Sequence, residues 1–154
     1  MTCSLLSVLA LIAVLGVALA EPADFTPCRN DPGTCTVSNV RITPCTNHQL
    51  CTVRKGHASS LSFDFTPTFA ASKLKTGVYW TGTDNTAELP FGELDSDGCK
   101  YAACPTVANQ RQEFDYSLNV GRLLPSGTYH IRWKLWDEDN SNNLCCYETS
   151  IKLR

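Results

Sequence analysis

The stretch Ala58-Ser59-Ser60-Leu61-Ser62-Phe63-Asp64-Phe65-Thr66 decides the fold class. Leu61, Phe63 and Phe65 fall on one side of an extended chain, and Ser60, Ser62 and Asp64 on the other. A period of two marks a half-buried strand, because successive side chains of a strand point to opposite faces. The pattern returns downstream. Residues 113–120 place Phe114, Tyr116, Leu118 and Val120 on one face. Residues 128–137 set Tyr129, Ile131, Trp133 and Leu135 against His130, Arg132 and Lys134. Weaker strand patterns cover residues 35–43, 52–54, 73–81 and 145–153, with Gly- and Pro-bearing turns between them. No segment holds a helical period. Short strands at regular spacing predict an all-β sandwich.

The chain begins with an uncharged apolar run over residues 5–20 that ends Ala18-Leu19-Ala20 before Glu21. This predicts a secretory signal peptide over residues 1–20 and one folded domain over 21–154, secreted and extracellular. Of the nine cysteines, Cys3 leaves with the leader. The remaining even number predicts a disulfide framework, whose ~105 connectivities spacing alone does not resolve. A domain of this length buries roughly two-thirds of its unfolded surface. The net charge of −2, without a basic stripe, excludes a nucleic-acid partner. No Asn-x-Ser/Thr sequon is present, which argues against N-glycosylation.

A second stretch carries the functional reading: Leu89-Pro90-Phe91-Gly92-Glu93-Leu94-Asp95-Ser96-Asp97-Gly98-Cys99-Lys100-Tyr101-Ala102-Ala103-Cys104-Pro105. An apolar, Pro-bearing run leads into an Asp-Gly turn and a short Cys loop. Bridging cysteines this close requires a sharp turn, which Gly98 and Pro105 permit. The expectation is a stapled loop that holds an exposed Phe91 beside a cavity.

Catalytic patterns are absent. His48, His57 and His130 follow no metal or nucleophile spacing, and the sequence holds neither Gly-x-Ser-x-Gly nor a Gly-rich phosphate loop. No catalytic residue, metal or cofactor is therefore expected. Residues 137–143 with Glu148 partly match a calcium loop, but Asn142 stands where that loop needs Gly. A solvated hairpin loop between strands explains the acidity more simply. What remains is an abundance of aromatic residues, which either pack a dry core or line a ligand cavity.

Four groups of residues resemble the ML-domain lipid-recognition family, in particular its Niemann-Pick type C2-like secreted sterol carriers and the group 2 mite allergens. They are Phe25-x-x-Cys28; Pro44-Cys45 with Cys51; Asp97-Gly98-Cys99-Lys100 with Cys104-Pro105; and Trp133 followed by an acidic loop and Cys146-Tyr147-Glu148. The resemblance spans essentially all of residues 21–154. It implies an immunoglobulin-like β-sandwich of two antiparallel sheets with a hydrophobic pocket between them. It also implies disulfides Cys28–Cys146, Cys45–Cys51 and Cys99–Cys104. Cys35 and Cys145 depart from that pattern and are left to pair with each other, with the swap Cys28–Cys145 and Cys35–Cys146 as the competing arrangement.

By the same resemblance, Phe91, Val120 and Trp133 occupy pocket positions, and Leu124 sits where sterol carriers have an aromatic residue. Tyr116, Phe63, Phe65 and Ile131 are pocket or core candidates by strand phase. The implied function is a soluble, monomeric carrier of a hydrophobic small molecule, a sterol or fatty acid. It would exchange its ligand through transient contact with a membrane or an acceptor protein. The alternative is an innate-immune or recognition module for microbial lipid or a receptor. The resemblance also admits allergenicity, which no residue demonstrates. A basic rim at the mouth would select acidic head groups. The stretch around Phe91 instead carries Glu93, Asp95 and Asp97, which points to a neutral ligand.

Overall fold

The alternating stretches become strands that pair into two facing sheets. The computed structural model describes residues 22–82, 87–91 and 93–154, and the expected leader over residues 1–20 lies outside the described residues. In chain order the strands are β1 (Phe25–Pro27), β2 (Cys35–Thr43), β3 (Cys51–Val53), β4 (Ala58–Pro67), β5 (Leu74–Trp80), β6 (Leu89–Pro90), β7 (Gln112–Asn119), β8 (Gly127–Asp137) and β9 (Leu144–Leu153).

The smaller sheet has the order β2-β4-β7, so the stretch around Phe63 is its central strand. The larger has the order β1-β9-β8-β5-β6. Pairing is antiparallel except at β3, which runs parallel to residues 151–153 of β9 while β1 takes residues 147–149 of the same edge. The result is the immunoglobulin-like all-β sandwich.

Burial follows the alternation. Leu61, Phe63 and Phe65 of β4 and Phe114 of β7 meet Ile131, Trp133 and Leu135 of β8 and Tyr147 and Ile151 of β9 between the sheets. Removing these side chains from water drives the sheets together, at roughly 25 cal/mol per Å² of apolar area.

Three features differ from the sequence pattern. β1 and β6 carry too few residues to show a period, and Pro90 is tolerated because β6 is an edge strand. A 3-10 turn spans Gly98–Lys100, started by the Asp97 carboxylate, which accepts from Cys99 N at 3.1 Å. Asp64, on the outward face of β4, is only 1% exposed. Its carboxylate takes hydrogen bonds from Asn39 at 2.6 Å and Arg111 at 2.5 Å, and from Arg41 at 3.3 Å. These partners arch over it where β2 bulges between Ser38 and Arg41, with Asn39 at φ +48°.

Two different devices close the sides of the sandwich. On one side, four cysteines form Cys28–Cys146 and Cys35–Cys145. Adjacent residues of β9 point to opposite faces, so Cys145 turns into the core toward Cys35 while Cys146 reaches Cys28. Cys45–Cys51 and Cys99–Cys104 staple local loops. On the other side, Phe91 and the segment from Glu93 to Cys104 cross between the sheets. Phe91 N donates to Val78 O of β5 at 2.9 Å, Thr76 N donates to Ser96 O at 2.9 Å, and Asp115 N of β7 donates to Tyr101 O at 2.9 Å.

Gly98 serves this crossing by its small size rather than by a positive φ. A Cβ there would lie 2.9 Å from Leu74 Cβ and 3.0 Å from Leu135 Cδ1. The acidic loop after β8 is organised by Asp137, which accepts from Asp139 N at 3.0 Å and Asn143 Nδ2 at 3.1 Å.

Candidate ligand-binding mouth between the sheets

Strand β7 ends at Asn119 in the small sheet, and β8 begins at Gly127 in the large one. The connecting loop therefore crosses one end of the sandwich. The turn between β3 and β4 approaches it there: Gly56 N donates to Val120 O at 3.0 Å, and Lys55 Nζ donates to Leu124 O at 2.9 Å. Between them opens a cleft of about 590 Å³. Its apolar lining comes from Ala58, Val120, Leu123 and Leu124, with His57 and Glu93 as polar members. Leu123 is 99% exposed at its rim. The volume lies in the range of small-ligand sites, roughly 300–1,000 Å³.

Of the residues singled out from the sequence, Val120 and Leu124 line this cleft. Phe91 does not stand exposed; it is 6% exposed and lies 5.3 Å, ring to ring, from Tyr129. It is buried because its backbone extends the edge of β5, which turns the ring inward. Tyr129 in turn donates to Pro125 O at 2.9 Å and meets Trp80 at 6.2 Å. An aromatic ring is thus tied to the loop that carries Leu124, although position 124 itself is aliphatic.

Deeper between the sheets, Phe63, Phe65, Tyr116 and Trp133 come together in one aromatic cluster. Phe63 stacks on Phe114 at 4.8 Å and meets Phe65 at 6.2 Å and Trp133 at 6.3 Å. Tyr116 lies 5.7 Å from Trp133. Trp133 is held by its indole N–H, which donates to Thr76 Oγ1 at 3.0 Å. Ile131 is buried in the same core. Tyr116 donates to Glu93 O at 3.4 Å, which links the cluster to the rim. Its phenol titrates above the ordinary range, through burial first and then through Tyr101 and Glu93 nearby.

Strand phase did not mark His57, Ala58 and Leu123, which sit in a turn, at a strand start and in a loop; Glu93 is one of the acids the sequence places near Phe91. Of the three acids near Phe91, Glu93 alone lines the cleft. Asp95 is ion-paired with Lys100, and Asp97 caps the 3-10 turn. Two buried side-chain oxygens lack partners among the described residues, Ser59 Oγ and Tyr147 Oη. Burial holds the Tyr147 phenol well above its ordinary range.

An immunoglobulin-like sandwich with an apolar cleft at one end of its inter-sheet space has the architecture of a small-molecule-binding β-domain. Residues 22–153 match the family model described as ML domain, and the chain belongs to that family. It is 42% identical over 149 residues to an MD-2-related lipid-recognition protein of Manduca sexta, covering 95% of both chains. It is 30% identical over 144 residues to NPC intracellular cholesterol transporter 2 of Sus scrofa, covering 93% of both. A crystal structure of a Niemann-Pick type C2 protein from Japanese carpenter ant superposes with a TM-score of 0.69. That match has 17% identity and covers 88% of this chain and 99% of that one, a likeness of fold. The two curated relatives are named as a lipid-recognition protein and a transporter, neither as an enzyme.

Proposed function

We propose that the chain is a secreted carrier that takes a sterol, a fatty acid or a similar apolar small molecule between its two sheets and releases it at a membrane or acceptor protein. The observation that carries this reading is the apolar cleft framed by Val120, Leu123, Leu124 and Ala58 at the open end of the sandwich. Binding is physical rather than chemical. An apolar ligand leaves water, and the gain scales with the apolar area it buries. The ligand enters at the cleft, and the aromatic cluster around Trp133 lies deeper between the sheets.

The covalently pinned side and the crossing loop keep the sheets apart from the mouth end, so a ligand enters without breaking either closure. Four disulfides and the leader expected over residues 1–20 both support an oxidising, extracellular setting. The names of the Manduca sexta and Sus scrofa relatives support the lipid class.

The test is native mass spectrometry of the secreted protein with organic extraction of any co-purified ligand. It is followed by titration of the delipidated protein with cholesterol and fluorescent fatty acid. A co-purified lipid, or saturable one-to-one binding of either probe, is expected. A protein that carries no lipid and binds neither probe refutes the carrier reading.

A further inference from the structure

A ligand carried between the sheets needs room there. The rings of the interior touch: Phe63 stacks on Phe114, Phe114 lies 5.5 Å from Trp133, and Tyr101 meets Phe114 at 5.4 Å and Tyr116 at 5.3 Å. Protein interiors are close-packed, so a ligand that passes the mouth takes its room from a movement of the sheets. The cross-links decide which edge moves.

Strand β2 is one edge of the small sheet, and it is stitched to the large sheet along its length. Its first residue, Cys35, is bonded to Cys145 of β9. Just past its other end, Cys45 is bonded to Cys51, the first residue of β3, which pairs with β9. Midway, Val40 O accepts from Ala23 N at 2.7 Å. A clasp sits beside the first bridge, where Thr34 Oγ1 accepts from Leu144 N at 2.9 Å and donates to Leu144 O at 3.1 Å. Cys28–Cys146 adds no tie from sheet to sheet, since it fastens the end of β1 to its own neighbour β9.

The opposite edge, β7, is closed differently. Among the described residues, no disulfide joins it to the large sheet. The crossing segment spans the gap, and its bridge, Cys99–Cys104, begins and ends inside the segment. Its outward ties are non-covalent. Asp97 faces Lys75 of β5, and Ala102 faces Phe114 of β7, each in an isolated bridge. Cys99 Sγ accepts from Leu74 N at 3.4 Å, and Glu93 O accepts from the Tyr116 phenol at 3.4 Å. Disulfides hold their length, whereas hydrogen bonds at the surface open and re-form locally.

We propose that the β2 edge is a fixed hinge. The sheets tilt apart at the β7 edge when a ligand moves inward, and the crossing segment shifts with them as an extensible strap. The strap stays seated on both sheets, and the Cys99–Cys104 staple limits its reach. The rings that give way are Tyr101 and Tyr116. Tyr147 on β9, 5.9 Å from Phe25 and next to the stitched edge, stays in place. The role of the ligand rests on the carrier reading above; the asymmetry of the two edges does not.

The test follows uptake of cis-parinaric acid, a fluorescent fatty acid, by the delipidated secreted protein in stopped flow. Cys99→Ser with Cys104→Ser frees the strap and should speed association about tenfold. Cys35→Ala with Cys145→Ala leaves Cys45–Cys51 and the β7 edge intact, and should change association by less than about twofold. An equal or larger acceleration in the Cys35 and Cys145 variant overturns the hinge, and so does a staple variant that is no faster than the parent.

If either variant fails to fold, the parent labelled with 3-fluorotyrosine carries the test. Saturation with the same acid should shift the fluorine signals of Tyr101 and Tyr116 and leave that of Tyr147. A Tyr147 shift as large as theirs overturns the hinge. If the parent binds neither the acid nor cholesterol, the carrier reading fails instead, and the hinge is read from amide exchange of the ligand-free protein. Asp115 and Thr76, whose amides hold the strap, should then exchange about tenfold faster than Leu144 after correction for intrinsic rates. Equal rates overturn it.

Discussion

The two long-range disulfides should be strongly non-additive. Cys28–Cys146 spans 118 residues and Cys35–Cys145 spans 110. Taken singly, each closes a loop worth about 4.8 kcal/mol in the chain-entropy model. They are not independent, because the spans are nested and differ by eight residues. Once either bridge exists, the other closes a ring of only about ten residues, worth about 2.7 kcal/mol. Replacing one pair by alanine should therefore cost about 2.7 kcal/mol, and replacing both about 7.5. The coupling is about 2 kcal/mol, well beyond the few tenths expected of independent sites.

Truncating the buried Cys35 and Cys145 adds a packing loss. It enters the single-pair and the double-pair variants equally and cancels from the coupling. Guanidinium unfolding of the oxidised parent, the two single-pair variants and the double-pair variant measures all four corners. A stabilising osmolyte brings the last into range if it is unfolded in water. Additive losses, near 4.8 kcal/mol for each pair, would refute the argument that the second bridge closes only a small ring.

Asp64→Asn should lower stability by about 2–3 kcal/mol, because a carboxylate held by two guanidinium groups is lost from a covered site, discounted for the exposure of Arg111. Burial alone would raise the Asp64 pKa, but hydrogen bonds from Asn39, Arg41 and Arg111 and the charge of Arg41 outweigh it and hold it below 3.8. A depressed carboxylate stabilises the fold above its unfolded pKa, and that contribution fades as pH falls through the folded value. The gap between parent and variant melts should therefore close below about pH 4, and a gap constant to pH 2 would contradict it. Gly98→Ala forces a methyl group against Leu74 and Leu135 and should cost about 1–3 kcal/mol, with faster amide exchange at Thr76 and Asp115 as the crossing segment loosens. A melting temperature unchanged from the parent would show that the site is not tight.

Strand phase made the sandwich legible because β4, β7 and β8 each bury one face and solvate the other. It located Phe63 and Trp133 correctly between the sheets, but phase does not tell a cavity wall from a filled core. Ring packing does: Phe63 against Phe114 is core contact. The outward Asp64 was legible as polar and not as buried, since its cover comes from a bulge in β2 and from Arg111, distant in sequence. The cleft residues His57, Ala58 and Leu123 sit in a turn, at a strand start and in a loop, where periodicity carries no information.

These placements divide the molecule by task. The pinned side and the crossing segment set the sheet separation, and neither contributes most of the cleft lining. An aromatic ring reaches the loop that carries Leu124 from β8, since Tyr129 donates to Pro125 O and packs on Phe91. Position 124 is therefore relieved of supplying a ring, and its aliphatic side chain does not by itself argue against a bulky ligand. The turn between β3 and β4, which brings His57 and Ala58 to the cleft, is held by neither disulfide pair of the pinned side. Exchanging His57 should change which ligand the cleft accepts while leaving the apolar interior intact. Residues that choose the ligand can thus change without disturbing those that keep a space for it.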